Sequence, residues 1–70
     1  MNTNQYEMRF GIIAIEKGFI NKNQLIEVIG LQVEDEIEKR RPKLIGTILS
    51  NLGYITHKQI DEIIKAQRGV

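Results

Sequence analysis

The chain has 70 residues, of which 41% are hydrophobic and 27% charged, and its formal net charge is +1. This balance is typical of a folded protein and gives no overall attraction toward nucleic acid or an anionic membrane. The absence of cysteine excludes disulfides and thiolate metal sites, and the single histidine, His57, excludes a histidine cluster. No apolar run approaches the roughly 20 residues that span a bilayer, and residues 1–10 lack the apolar segment of a signal peptide. We therefore expect one small cytoplasmic domain, residues 1–70, without membrane insertion.

The first predicted helix, Gln5–Lys17, ends at a glycine. Gly18 suits the left-handed position that follows a helix, and the aromatic residue after it can fold back on the preceding turn, as in a Schellman motif. Three residues later, Asn21 is a good N-cap for a second helix, and Gln24 stands at the spacing of a capping box. The short segment between them therefore predicts a helix stop followed at once by a helix start.

The second predicted helix, Lys22–Arg40, carries a wide apolar stripe. Apolar residues at positions 25, 26, 29, 33 and 37 keep a helical period, and two more at 28 and 31 widen the stripe beyond what a solvent-facing helix needs. A 70-residue monomer can hardly cover such a surface, so the pattern favours a protein partner or a homodimer.

A charged spacer, residues 33–43, follows the first repeat and contains an acidic run and a basic cluster, Lys39–Lys43. The basic side chains suit the C-terminal end of a helix, and Glu36 stands in an i, i+4 register with Arg40. Binding of an anionic partner is the alternative interpretation of the same cluster. Pro42 disfavours helix at the preceding residue and separates the two halves of the chain.

The third and fourth predicted helices, Leu44–Leu52 and His57–Gln67, repeat the pattern of the first two. Residues 9–32 and 44–67 align with eight identities in 24 positions. Gly53 repeats the helix stop, and Thr56 with Gln59 repeats the capping box. No segment has the alternation of a strand. The sequence therefore predicts an all-α fold of two tandem helix-turn-helix repeats, packed as a small four-helix domain.

Catalysis and metal binding have little support in the sequence. The chain has one serine, Ser50, and one histidine, with no visible third member of a triad and no glycine-rich phosphate loop. The acidic run lacks the spacing and central glycine of a calcium loop. We expect a non-enzyme without cofactor or metal. A helix-turn-helix DNA binder is a third possibility, weakened by the acidic residues on each candidate recognition helix.

Paired glycines and glutamines are the positions that raise a functional question. Gly11 and Gly46 each lie inside a helical pattern, where glycine costs about 0.5–1 kcal/mol relative to alanine. Close helix packing and close approach of a ligand are both open explanations. Gln32 and Gln67 end matching apolar stripes; they are either ordinary solvent-facing helix residues or, because they recur at one register, share a hydrogen-bonding role.

The order R-F-G-x6-G-F-I-N-x3-L-x3-I-x2-Q, from Arg9 to Gln32, resembles half of the N-terminal domain of type II secretion and type IV pilus ATPases. Ligand-binding members carry two such motifs and bind cyclic di-GMP. The resemblance covers residues 9–32 and 44–67; the second copy has Leu44 where the family has arginine, and the spacer is longer. By position, the resemblance implies the following ligand-binding residues: Arg9, Phe10, Gly11, Leu25, Ile29, Gln32, Ile45, Gly46, Ile60, Ile64 and Gln67.

Two functions are therefore expected on nearly equal terms. The resemblance implies a bacterial signalling or adaptor module that binds cyclic di-GMP, in which an arginine stacks on or grips a guanine and apolar side chains cover its faces. The wide apolar stripe indicates instead a protein-interaction or dimerisation module without a nucleotide.

Overall fold

The computed structural model describes residues 5–69 and contains four helices. They are α1 (Gln5–Glu16), α2 (Lys22–Ile37), α3 (Ile45–Asn51) and α4 (His57–Arg68). None of these residues forms a strand. The predicted all-α fold of two helix-turn-helix repeats is confirmed. Most predicted helix ends agree to within one residue, whereas α2 ends three residues before the predicted Arg40.

Both inter-helix turns within the repeats have the predicted Schellman geometry. Gly18 and Gly53 each have φ of +80°, in the left-handed region that glycine adopts without strain. The backbone N–H of Phe19 donates to the carbonyl of Ala14 at 2.9 Å. The N–H of Tyr54 donates to the carbonyl of Leu49 at the same distance. These bonds satisfy carbonyls that the helix end would otherwise leave unpaired.

The two capping boxes are also present. The Asn21 side chain accepts from the backbone N–H of Gln24 at 2.8 Å, and Gln24 Oε1 accepts in return from Asn21 N–H at 2.9 Å. Thr56 and Gln59 make the same reciprocal pair at the start of α4. Stop and start signals a few residues apart therefore set the direction of the second helix in each repeat.

The early end of α2 comes from a third Schellman turn, built on a lysine. Lys39 has φ of +60°, and the N–H of Arg40 donates to the carbonyl of Asp35 at 2.8 Å. The turn takes Arg40 off the helix, so the predicted pairing with Glu36 is wrong. Its guanidinium instead pairs with Asp35, at 3.1 Å from Nε to Oδ1, and with Glu38.

The main helix contacts join one repeat to the other. α1 contacts α3 and α4, and α2 contacts α3, so the first helix of each repeat lies against the second helix of the other. The fully buried large side chains come from both repeats: Val28, Ile45, Leu49 and Ile63. Because a single repeat cannot bury its own apolar face, the doubled sequence provides the one shared core.

Candidate functional site: a cleft between α1, α3 and α4

An apolar cleft of about 150 Å³ lies where the start of α3 meets α1 and α4. A cavity of about this size holds a single benzene ring, whereas sites for drug-sized ligands are at least about twice as large. We call it the α3 cleft, and its lining residues are Tyr6, Glu7, Phe10, Leu44, Gly46, Thr47, Ile60 and Ile64. The cleft can therefore take one ring of a flat base, with the rest of the ligand lying at the rim and on the surface.

Gly46 lets the aromatic ring of Phe10 pack directly on the backbone of α3. A Cβ added to Gly46 would lie 3.0 Å from Phe10 Cζ, closer than ordinary van der Waals contact. Phe10 is itself 5% exposed, so its ring is almost fully buried and offers little surface to the cleft. The close-packing explanation for this glycine is therefore met within the chain, and the same residue also lines the cleft.

Glu7 is the charged residue that lines the cleft, and its side chain also caps α3, which is remote in sequence. The N-cap position of α3 is Leu44, whose side chain cannot accept a hydrogen bond. Instead, Glu7 Oε1 accepts from the backbone N–H of Ile45 at 2.7 Å, and the contact is partly buried. A carboxylate at a helix N-terminus is favoured by the helix dipole. Its second oxygen remains an acceptor on the cleft wall.

The equivalent space in the first repeat is filled by a side chain. A Cβ on Gly11 would lie 2.5 Å from Leu25 Cδ1 and 2.9 Å from Cδ2, so Leu25 rests on the backbone of α1. Leu25 is 6% exposed, whereas its counterpart Ile60 is only half-buried and borders the α3 cleft. The two repeats therefore differ here: the space beside the glycine is open in the second repeat and filled by a side chain in the first.

The matching glutamines make matching hydrogen bonds across the repeats. Gln32 Nε2 donates to the carbonyl of Lys43 at 2.8 Å, just before α3. Gln67 Nε2 donates to the carbonyl of Tyr6 at 3.0 Å, in the first turn of α1. Among the described residues, Gln67 Oε1 is buried without a hydrogen-bond partner. Each glutamine therefore ties the second helix of one repeat to the chain that enters the other.

The structure brings four of the predicted site residues together in the α3 cleft and places the others elsewhere. The four are Phe10, Gly46, Ile60 and Ile64. Ile45 is fully buried in the core, and Ile29 packs half-buried against it. Arg9 is exposed on α1, and its guanidinium has no partner among residues 5–69. Their ligand roles remain predictions.

Four cleft residues are not in the predicted ligand-binding set: Tyr6, Glu7, Leu44 and Thr47, of which Leu44 stands where the family motif has arginine. Glu7 and Tyr6 lie before the aligned repeat, and Thr47 aligns with an isoleucine. One signal could have indicated Glu7. Because Leu44 cannot cap α3, the first N–H groups of that helix are left open to an acceptor from elsewhere in the chain.

A second polar contact ties the turn after α3 to α2. The Tyr54 hydroxyl donates to Glu27 Oε1 at 2.8 Å. This hydrogen bond raises the pKa of Tyr54 above its ordinary value, with smaller contributions from desolvation and from the negative charge of Glu27. The first repeat has Phe19 at the equivalent position and lacks this bond.

Residues 5–69 contain neither a candidate metal site nor a candidate membrane span. No group of three or more histidine, cysteine or acidic side chains there could hold a metal ion. None of the described helices is long and apolar enough to cross a membrane. Comparison with models of known protein families, with curated proteins and with solved structures gives no match.

Proposed function

We propose that the chain is a small, non-catalytic bacterial signalling module in the cytoplasm that holds one guanine of cyclic di-GMP in the α3 cleft. The observation that carries this proposal is the ring-sized apolar space beside Gly46, bordered by Ile60 and Ile64. These three residues belong to the motif that resembles the N-terminal domain of type II secretion and type IV pilus ATPases. Burial of the faces of a flat base against these aliphatic side chains is favourable, because it removes apolar surface from water.

The polar groups at the rim of the cleft favour guanine over a flat ring that lacks hydrogen-bond donors. Guanine presents N–H donors on the edge that carries its amino group. The Glu7 carboxylate keeps an oxygen free to accept them, since Ile45 N–H uses the other. Thr47 is exposed and adds a hydroxyl at the rim. The cleft therefore combines apolar faces with an acceptor at one edge.

Arg9 supplies the positive charge that the phosphates require. It stands one helical turn from Tyr6 on α1, is exposed, and has no internal partner among the described residues. A guanidinium can pair with phosphate oxygens or stack on the second base. Because Leu25 fills the space beside Gly11, only one base of the ligand enters an enclosed site in each chain.

Titration calorimetry with cyclic di-GMP tests this function. Wild-type protein at tens of micromolar should release or absorb heat with a saturating isotherm. Thr47→Phe places a ring in the mouth of the cleft and should abolish the heat, whereas Asn51→Phe, also exposed on α3 but one turn away, should not. Arg9→Ala should weaken binding about tenfold, because one charge-assisted contact is lost. Absence of heat with wild type would refute the proposal.

A second candidate function is protein–protein interaction without a nucleotide. The observation that favours it is the exposure of large apolar side chains on α2: Ile26 is 56% exposed and Ile37 is 73% exposed. Contiguous apolar surface of this kind usually marks an interaction site.

A further inference from the structure

α2 carries apolar side chains on two separate faces. One face packs into the core through Leu25 and Val28. The other face is a line of residues at spacings of four, three and four, which a helix brings onto one side. We call this line the outer stripe, and it consists of Ile26, Gly30, Val33 and Ile37. Three of its members are exposed and Val33 is half-buried, so the described chain leaves the stripe largely uncovered.

The fold itself does not require an apolar outer stripe. The repeat supplies an internal comparison, because α4 occupies the same register as α2. Its residues at the corresponding positions are charged: Asp61, Lys65 and Arg68. All three are exposed. The apolar residues of α2 at these positions are therefore not needed for folding, and binding of another molecule is a reason for them that does not apply to α4.

Gly30, within the stripe, has no explanation inside the chain. A Cβ added there would have no neighbouring atom within 4 Å, and the residue does not have positive φ. This contrasts with Gly11 and Gly46, which both lie under a neighbouring side chain. Glycine in a helix interior is destabilising relative to alanine. A glycine at this exposed position leaves space above the α2 backbone that a packed partner can fill.

Acidic residues border the stripe on both edges. Glu27 and Glu34, seven residues apart, follow one edge, and Glu36 follows the other. Within residues 5–69 the carboxylates of Glu34 and Glu36 have no hydrogen-bond or ion-pair partner. Two copies packed antiparallel through their stripes would place Glu27 of each beside Glu34 of the other, twice. Like charges at that distance oppose self-association.

We propose that the outer stripe binds an amphipathic helix of another protein, apolar along one line and carrying lysine or arginine on both edges. The proposal rests on the second candidate function and is independent of nucleotide binding in the α3 cleft. One basic residue per heptad on the partner meets Glu27 and Glu34 in turn. The partner runs antiparallel to α2, because its positive N-terminal end then lies beside Glu34 and Glu36. Gly30 receives a large side chain of the partner as a knob in a hole.

The test uses two synthetic peptides of about 18 residues, long enough to cover α2. Both carry leucine along one helical line; one has lysine on the edges and the other glutamate. In a ¹⁵N-detected titration, the lysine peptide should shift amides of residues 22–38 and the glutamate peptide should not. The double variant Glu34→Lys, Glu36→Lys should lose affinity for the lysine peptide about tenfold and bind the glutamate peptide instead. Equal binding of both peptides by wild type would overturn the proposal.

Two stripe variants, Ile37→Ser and Gly30→Ala, and one control, Ile12→Ser, separate this surface from a merely structural role. Ile37→Ser should abolish peptide binding, whereas Ile12→Ser, an exposed isoleucine on α1, should leave it unchanged. Gly30→Ala should raise the thermal midpoint by about 4 °C yet weaken peptide binding. Both variants should retain the calorimetric response to cyclic di-GMP, so failure here is distinct from failure of the nucleotide proposal. The proposal would be overturned if wild-type protein sedimented as a dimer and Ile37→Ser as a monomer, because the occupant of the stripe would then be a second copy.

Discussion

Removal of the Glu7 carboxylate should destabilise the domain through α3, a helix 38 residues away in sequence. The lost interaction is a charge-assisted hydrogen bond to the first N–H of α3, and such bonds contribute about 1.5–3 kcal/mol. The contact is only partly buried, so we expect Glu7→Ala to lower the free energy of unfolding by about 1.5 kcal/mol. For a domain of this size, that corresponds to a fall in the thermal midpoint of about 6–12 °C.

A rescue variant isolates capping as the cause. Leu44 is 62% exposed and has the extended backbone of an N-cap, with φ of −67° and ψ of 150°. Leu44→Asp supplies a local acceptor for α3, so it should recover about 1 kcal/mol in the Glu7→Ala background. In wild type it should add little, since Glu7 already accepts from Ile45 N–H and the two carboxylates would repel.

Urea denaturation followed by circular dichroism measures all four proteins of this cycle. The dependence of free energy on urea should be the same in each, so that midpoints compare directly. Strict additivity of the two substitutions would refute the capping role of Glu7. So would a loss no larger than that of Glu16→Ala, which removes an exposed carboxylate from the other end of α1.

Further outcomes follow from single contacts. Gly46→Ala should lower the free energy of unfolding by about 1–2 kcal/mol in urea titrations, because the new methyl group meets Phe10, whereas Gly30→Ala should raise it by about 0.5–1 kcal/mol. Gln32→Met should destabilise by about 1 kcal/mol, but Gln67→Met by less, because it also removes a buried unpaired oxygen. In ultraviolet titration, the pKa of Tyr54 should be lower in Glu27→Gln than in wild type, because the hydrogen bond that raises it is weakened. Since the pKa of Tyr54 is higher in the folded than in the unfolded chain, the stabilisation by this bond is present below about pH 10. It is lost as the pH rises through the folded-state pKa.

The sequence predicted the parts of the fold that neighbouring residues determine. A glycine stop such as Gly18 and a capping pair such as Asn21 with Gln24 act within one or two turns, so both were recognisable without tertiary information. The end of α2 was missed because no residue there is a typical helix stop. Lys39 takes a left-handed conformation that lysine seldom adopts, so the residue type gives no sign of the turn.

The candidate site was predicted only in part, because its geometry depends on contacts between distant residues. The motif indicated Gly46, Ile60 and Ile64, which do line the α3 cleft. Nothing in the pattern distinguished Gly11 from Gly46, yet Leu25 fills the space beside the first. Whether an equivalent leucine or isoleucine fills such a space depends on rotamer and helix position, which neither composition nor spacing encodes.

The most direct test of the proposed function is a ¹H–¹⁵N correlation spectrum of the wild-type protein with and without cyclic di-GMP. Binding of a guanine in the α3 cleft predicts saturating shifts at the amides of Gly46, Thr47, Ile60 and Ile64, with Arg9 affected and Gly11 much less. An unchanged spectrum at ligand concentrations well above that of the protein would contradict the account and leave protein–protein interaction through α2 as the function to pursue.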